Sequence, residues 1–167
     1  MRTFSETAIE IFSGDENKVL SDKIILLDEA ASDNQEALGQ IADQMTRSGA
    51  VKDSYKSAVL KREIDFPTGL ATVNIGIAMP HTDAEHVNYD QLGVLRLREP
   101  VSFLQMGDGE RIQVKFVFML ALKETHTQLA MLQKLIALIQ DKASIRQLLL
   151  AEKTDEIVET LNNVGIE

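Results

Sequence analysis

Three histidines are the residues best suited to chemistry in this sequence, and His81 is the most suggestively placed of them. His81 directly follows Pro80, at the end of a stretch that alternates like a β-strand. Ligands of open α/β sheets commonly bind outside the carboxyl ends of strands. A histidine is largely neutral at pH 7, so a ring nitrogen can serve as nucleophile or base. His81 is therefore the first candidate for catalysis, against the alternative that it is an inert turn residue.

His126 is the second candidate because of the way its helix begins. Thr125 and Gln128 have the spacing of a capping box, which predicts Thr125 as the N-cap and His126 as the first helical residue. Unpaired N–H groups and the helix dipole make such a position attractive to anions, including phosphate. The alternative is a cap with no further role, on a helix whose predicted core-facing residues are Leu129, Leu132, Leu135, Ile136 and Ile139.

Arg62 is the third candidate, at the end of a predicted helix and before the segment Phe66-Pro67-Thr68-Gly69. A guanidinium group can bind two phosphate oxygens at once. Arg62 could instead be a surface arginine paired with Glu63, and Thr68-Gly69 could be only a turn.

A competing site lies around the same histidine, since His81, Asp83, Glu85 and His86 are four potential metal ligands within six residues. Imidazole and carboxylate together suit zinc, manganese or iron, and a hydrolase would use the metal to activate water. Ligands at these positions of one loop seldom converge without others from elsewhere in the chain. We therefore expect no metal site, and we expect Glu85 and His86 to be solvated.

Composition narrows the possible functions. The 167 residues include 17 basic and 26 acidic side chains, and no basic cluster suits the binding of nucleic acid. The absence of cysteine excludes disulfides, thiolate metal sites and a cysteine nucleophile. The longest apolar run, Phe116 to Leu122, is seven residues, whereas a membrane span needs about 20. These features predict a cytoplasmic protein that is not inserted in a membrane.

The hydrophobic pattern predicts one α/β layered domain over residues 1–167, in which residues 1–20 have no assigned element apart from a turn at 13–15. The last predicted strand, apolar on both faces, should be central in the sheet. The predicted strands are 24–27, 73–79, 92–97 and 114–122, and the predicted helices are 36–47, 54–63, 125–140, 143–151 and 155–164.

The segment from Phe66 to Asp83 resembles the EIIA domains of the fructose/mannitol type in the bacterial phosphoenolpyruvate-dependent sugar phosphotransferase system. The family's phosphorylation-site pattern, an aliphatic-Ala-aliphatic-Pro-His core, matches Ile77–His81. Arg62-Glu63, Thr68-Gly69, the strand around Leu95–Leu97 and the helix that carries His126 follow in the family's order, so that the resemblance covers about residues 20–165. Galactitol-type EIIA proteins are the most similar branch.

The resemblance implies a mixed sheet of about five strands with helices on both faces, and residues 1–20 would be an N-terminal extension relative to the family. It also implies a phosphotransferase in which His81 accepts a phosphoryl group from the phosphocarrier HPr and passes it to a cysteine of EIIB, which serves a membrane EIIC permease. His126 and Arg62 would surround the phosphoryl group, and no cofactor or metal is required. Two alternatives stay open: a nitrogen-type regulatory EIIA module that controls other proteins, and a metal-dependent hydrolase.

Overall fold

The computed structural model describes residues 23–166, which form a five-stranded sheet and five α-helices. The predicted N-terminal extension, residues 1–20, lies outside the described residues. The strands are β1 (Lys23–Glu29), β2 (Gly69–Ala71), β3 (Gly76–Ala78), β4 (Gln91–Leu104) and β5 (Arg111–Ala121). The helices are α1 (Asn34–Ser48), α2 (Tyr55–Asp65), α3 (Thr125–Gln140), α4 (Lys142–Leu150) and α5 (Thr154–Asn163), and a short 3₁₀ turn covers Ala84–His86.

The sheet is mixed, with strand order β1-β4-β5-β3-β2. β1 pairs with β4 and β3 pairs with β5 in parallel, while the β4–β5 and β2–β3 pairs are antiparallel. β5 occupies the middle of the sheet and is buried on both faces from Phe116 onward, as its continuous apolar run predicts. The predicted central strand and mixed five-stranded sheet are confirmed.

Helices cover both faces of this sheet. Successive side chains of β5 point to opposite sides, so β5 contributes to a hydrophobic core on each face. Val117 and Met119 pack with residues of α1 and α2 in one hydrophobic core. Phe116 and Phe118 pack with residues of α3, α4 and α5 in the other. The expected α/β layered architecture is therefore confirmed.

The strand predicted over 73–79 is shorter than its alternating pattern indicates. Thr72 closes a tight turn with Ile75, whose carbonyl accepts hydrogen bonds from the backbone N–H and the hydroxyl of Thr72. Val73 lies at the tip of this turn and is 83% exposed. The turn joins β3 to β2, a strand that the sequence pattern did not reveal. Alternation alone cannot tell a strand from a turn whose side chains happen to alternate.

The strand predicted over 92–97 is longer than expected, because β4 continues through Pro100 to Leu104. The register against β5 shifts between Arg96 and Val101, and residues 98–100 are exposed. Such an irregularity accommodates a residue that has no N–H to donate. Pro100 thus lies within a strand.

The helix predictions are largely confirmed, with a correction to the face that α3 buries. Asp33 caps α1 by accepting a hydrogen bond from Glu36 N–H, and Gly49 ends it with φ of 88°. In α3, however, Leu129 is 58% exposed and Ile136 is 37% exposed. The residues of α3 that are buried against the sheet are Met131, Leu135, Leu138 and Ile139.

Candidate functional site

His81 lies at the carboxyl edge of two neighbouring parallel strands. β3 ends at Ala78, and the chain continues through Met79 and Pro80 to His81. The Pro80 carbonyl accepts a 3.0 Å hydrogen bond from Leu120 N–H, and His81 forms a parallel bridge with Leu120 near the end of β5. The imidazole is therefore held at the sheet edge where the sequence predicts it.

The His81 ring is oriented by a 3.0 Å hydrogen bond between Nδ1 and the carbonyl of Met79. A carbonyl can only accept, so Nδ1 carries the hydrogen and Nε2 keeps its lone pair when the ring is neutral. Burial lowers the pKa of His81 most, and the nearby charge of Arg62 lowers it further, against opposing effects of Met79 and Asp83. The neutral ring, with a nucleophilic Nε2, is thus the dominant form near pH 7.

Arg62 lies beside His81, in the last turn of α2. Its Nη1 is 3.8 Å from Oδ1 of Asp83, and its guanidinium carbon is 5.2 Å from the centre of the Phe66 ring. The alternative pairing of Arg62 with Glu63 is wrong, because both carboxylate oxygens of Glu63 bond to Thr68 instead. Since 39% of the Arg62 side chain is exposed, its guanidinium can also be reached by an anionic group at His81.

Glu63 and Thr68 form a buried connection that the sequence analysis did not assign to the site. Glu63 accepts two hydrogen bonds from Thr68, one from the backbone N–H and one from the hydroxyl. The Thr68 hydroxyl oxygen accepts the N–H of Met79 at 3.0 Å. One sequence signal was present: Tyr55, Val59 and Glu63 recur every four residues and share the buried face of α2.

His126 is the second residue of α3, and its helix does not begin with the predicted capping box. Glu124 is the N-cap, and its carbonyl accepts the N–H of Gln128, while the Gln128 side chain reaches the carbonyl of Leu122. The box fails because Thr125 already has helical backbone angles, so its hydroxyl is one position too late to act as the N-cap.

The structure does not join His126 to His81 directly. His126 is exposed, and within residues 23–166 no hydrogen bond or ion pair links it to His81 or Arg62. It follows β5 by a short connection, and the end of β5 pairs with His81. Both histidines therefore lie beyond the same edge of the sheet.

The four potential metal ligands do not converge. The His86 Nδ1 is 2.8 Å from the Ser54 hydroxyl, at the start of α2, and only 18% of the His86 side chain is exposed. The expectation that His86 is solvated is wrong, whereas the Glu85 side chain is 76% exposed. In the part of the chain that the structure describes, no group of three or more His, Asp or Glu side chains could hold a metal ion.

The family model described as "Phosphoenolpyruvate-dependent sugar phosphotransferase system, EIIA 2" matches residues 18–164, which is most of the chain. The chain belongs to this EIIA family. As an EIIA protein it is a phosphotransferase, and the resemblance seen in the sequence is confirmed.

Three relatives illustrate the range of this EIIA family. The chain is 30% identical over 122 residues to the galactitol-specific EIIA component of Escherichia coli K12, covering 73% of this chain and 81% of the relative. It is 28% identical over 109 residues to a nitrogen regulatory protein of Klebsiella oxytoca, covering 65% of each. The mannitol enzyme IIA of Escherichia coli, solved in complex with phosphorylated enzyme IIB, superimposes with a TM-score of 0.69 at 26% identity, over 83% of this chain and 94% of that one.

None of the helices between residues 23 and 166 has the length and apolar character needed to cross a bilayer.

Proposed function

We propose that this EIIA chain is a phosphoryl relay in which Nε2 of His81 accepts a phosphoryl group from the phosphohistidine of HPr. The proposal is supported chiefly by the hydrogen bond between His81 Nδ1 and the Met79 carbonyl. That bond leaves Nε2 as the nitrogen with an available lone pair, at a sheet edge beside the Arg62 guanidinium.

Transfer to His81 forms one N–P bond and breaks another. The Nε2 lone pair attacks phosphorus in line with the bond to the donor nitrogen, and the electron pair of that bond returns to the donor imidazole. The Nδ1 hydrogen stays on the ring, which then carries positive charge. The Met79 carbonyl, as a hydrogen-bond acceptor for Nδ1–H, stabilises this charged ring.

Arg62 and His126 compensate the negative charge that spreads over the transferred oxygens. Arg62 contributes a guanidinium close to His81, and its 3.8 Å contact with Asp83 is long enough to be exchanged for a contact with phosphate. His126 contributes an exposed imidazole beside the first N–H groups of α3, on the same edge of the sheet. The scheme uses no cofactor and no metal.

We infer that His81 passes the phosphoryl group to a cysteine of an EIIB partner, which serves an EIIC permease in the uptake of galactitol or a related polyol. The galactitol-specific relative supports the sugar class, and the complex of mannitol enzyme IIA with phosphorylated enzyme IIB supports an EIIB partner. The same proposal places the chain in the cytoplasm and treats residues 1–167 as one EIIA domain.

A second candidate is a regulatory EIIA module that controls other proteins according to its phosphorylation state. The relative from Klebsiella oxytoca, a nitrogen regulatory protein, favours this alternative. Both candidates need phosphorylation of His81, and they differ in whether the phosphoryl group moves on to an EIIB cysteine.

A transfer assay tests the proposal in two stages. The protein is first incubated with phosphoenolpyruvate, enzyme I and HPr, and its intact mass is measured beside that of His81→Ala. We expect one acid-labile phosphoryl group on the wild type and none on the variant.

The phosphorylated protein is then mixed with EIIB proteins of the galactitol and mannitol systems. Transfer to the galactitol EIIB supports the proposed sugar, whereas retention of phosphate with every EIIB favours the regulatory module.

A further inference from the structure

Both backbone polar groups of Met79, the N–H and the carbonyl, are hydrogen-bonded to side chains. Its N–H donates to the Thr68 hydroxyl oxygen at 3.0 Å, and its carbonyl accepts from His81 Nδ1 at 3.0 Å. Met79 is 1% exposed, so neither group is open to solvent. The conformation of Met79 therefore determines where the acceptor for the His81 ring lies.

Thr68 is itself fixed by Glu63, and the direction of each hydrogen bond follows from chemistry. The peptide N–H of Met79 can only donate, and a carboxylate can only accept. The Thr68 hydroxyl oxygen therefore accepts from Met79, and with Glu63 ionised the hydroxyl donates to the Glu63 oxygen 2.8 Å away. The backbone N–H of Thr68 donates to the other Glu63 oxygen at 2.9 Å, which leaves Thr68 little freedom to turn.

The connection is buried and costs free energy to maintain. Glu63 is 4% exposed and Thr68 is 6% exposed, and burial raises the pKa of Glu63 to about 7 against the opposing effect of both Thr68 bonds. A purely packing role at this position would be served as well by an apolar side chain. The last turn of α2 does not depend on it either, since Phe66 N–H already bonds to the Arg62 carbonyl.

We propose that Glu63 and Thr68 are positioning residues for phosphoryl transfer, which fix Met79 so that its carbonyl holds His81 as the Nδ1–H tautomer. This inference rests on the proposed function of His81. Glu63 and Thr68 contact neither the imidazole nor the phosphoryl group, and they act only through the backbone of Met79. Two residues in the last turn of α2 thus act on His81. Arg62 places its positive charge beside the ring, and Glu63 fixes the position of Met79 through Thr68.

The test compares Thr68→Val, which removes the hydroxyl at nearly constant size, with Thr68→Ser, which keeps it. Thr160→Val is the matched control, because Thr160 is another buried threonine whose hydroxyl bonds to a carbonyl, that of Glu156 in α5. The His81 tautomer is measured by ¹⁵N NMR on each unphosphorylated protein. Initial rates of phosphoryl transfer from phospho-HPr give kcat and KM separately.

We expect Thr68→Val to shift His81 towards the Nε2–H tautomer and to lower kcat about tenfold, with KM for phospho-HPr nearly unchanged. Thr68→Ser should restore both readouts, and Thr160→Val should alter neither. Should Thr68→Val fail to fold, Thr68→Ala takes its place, since it also removes the hydroxyl that accepts the N–H of Met79. A wild-type tautomer and kcat in the folded variant would overturn the positioning role. A wild-type protein that takes no phosphoryl group would instead remove the proposed function, and the positioning role with it.

Discussion

The hydroxyl of Tyr55 donates a 2.6 Å hydrogen bond to the carbonyl of Leu120. Tyr55 is completely buried at the start of α2, and burial raises the pKa of its phenol, so the donor stays protonated. Leu120 bridges to His81 at the end of β5. Together with the contacts of Arg62 and Glu63, this bond makes α2 the helix that supports the proposed phosphoryl site from both of its ends.

Tyr55→Phe is expected to lower the free energy of unfolding by about 1–2 kcal/mol, because a buried carbonyl loses its donor. Urea denaturation measures the change. Tyr89→Phe is the matched control, since Tyr89 makes a similar bond to the Ser48 carbonyl but is 39% exposed. Its expected cost is about 0.5 kcal/mol or less. Equal losses of unfolding free energy in the two variants would contradict the larger contribution to stability expected of Tyr55.

Glu63 makes stability depend on pH in an unusual direction. Its folded pKa of about 7 lies above the ordinary value of 4.5, so the folded chain keeps a proton that the unfolded chain loses between these values. The free energy of unfolding therefore falls as pH rises from about 4.5 to about 7, by on the order of 3 kcal/mol, and is flat above that range.

Glu63→Gln removes this titration, and other groups cancel in the comparison. Urea denaturation of both proteins from pH 5 to pH 8 should show the wild type losing stability relative to the variant as pH rises. A difference that stays constant across that range would mean that Glu63 is ionised throughout.

Arg62→Gln is expected to raise the pKa of His81, because a positive charge that disfavours the imidazolium is removed. Asp83→Asn is the opposing control and should lower it, since the carboxylate favours the imidazolium. Titration of the His81 ring signals by NMR measures both shifts. Shifts of the same sign in the two variants would show that neither charge acts on His81 as the geometry indicates.

His126→Ala is expected to slow phosphoryl transfer to and from His81 while leaving the free energy of unfolding within about 0.5 kcal/mol of the wild type, because the side chain is exposed. His86→Ala provides the contrast. It removes the 2.8 Å contact with Ser54 and should reduce stability more than transfer. Wild-type transfer rates in both directions for His126→Ala would exclude His126 from the site.

The sequence predicted the architecture well where burial alone decides the pattern. The apolar run from Phe116 to Leu122 predicted a central strand, and helix periodicity placed α3 at its observed bounds. The predictions failed where tertiary contacts decide. Val73 continues an alternating pattern into an exposed turn, and Pro100 is tolerated inside β4 because the register shifts around it.

The candidate site shows the same contrast between features that the sequence predicts and features that depend on tertiary contacts. His81 and Arg62 were suggested by residue type and position, and the structure brings them together. The Glu63–Thr68–Met79 connection was not predicted, because no sequence pattern marks hydrogen bonds that link a helix end, through Thr68, to the residue two positions before a histidine. Its only local signal was the placement of Glu63 on the buried face of α2, four residues after Val59.

The most direct test of the account is to identify the phosphorylated atom. The protein is labelled with ¹⁵N-histidine, phosphorylated by phosphoenolpyruvate, enzyme I and HPr, and studied by ³¹P and ¹⁵N NMR at alkaline pH, where phosphohistidine persists. The account predicts a single phosphorus bonded to Nε2 of His81, with a hydrogen retained on Nδ1. Phosphorus on Nδ1 of His81, on His86 or His126, or on none of the three would contradict it.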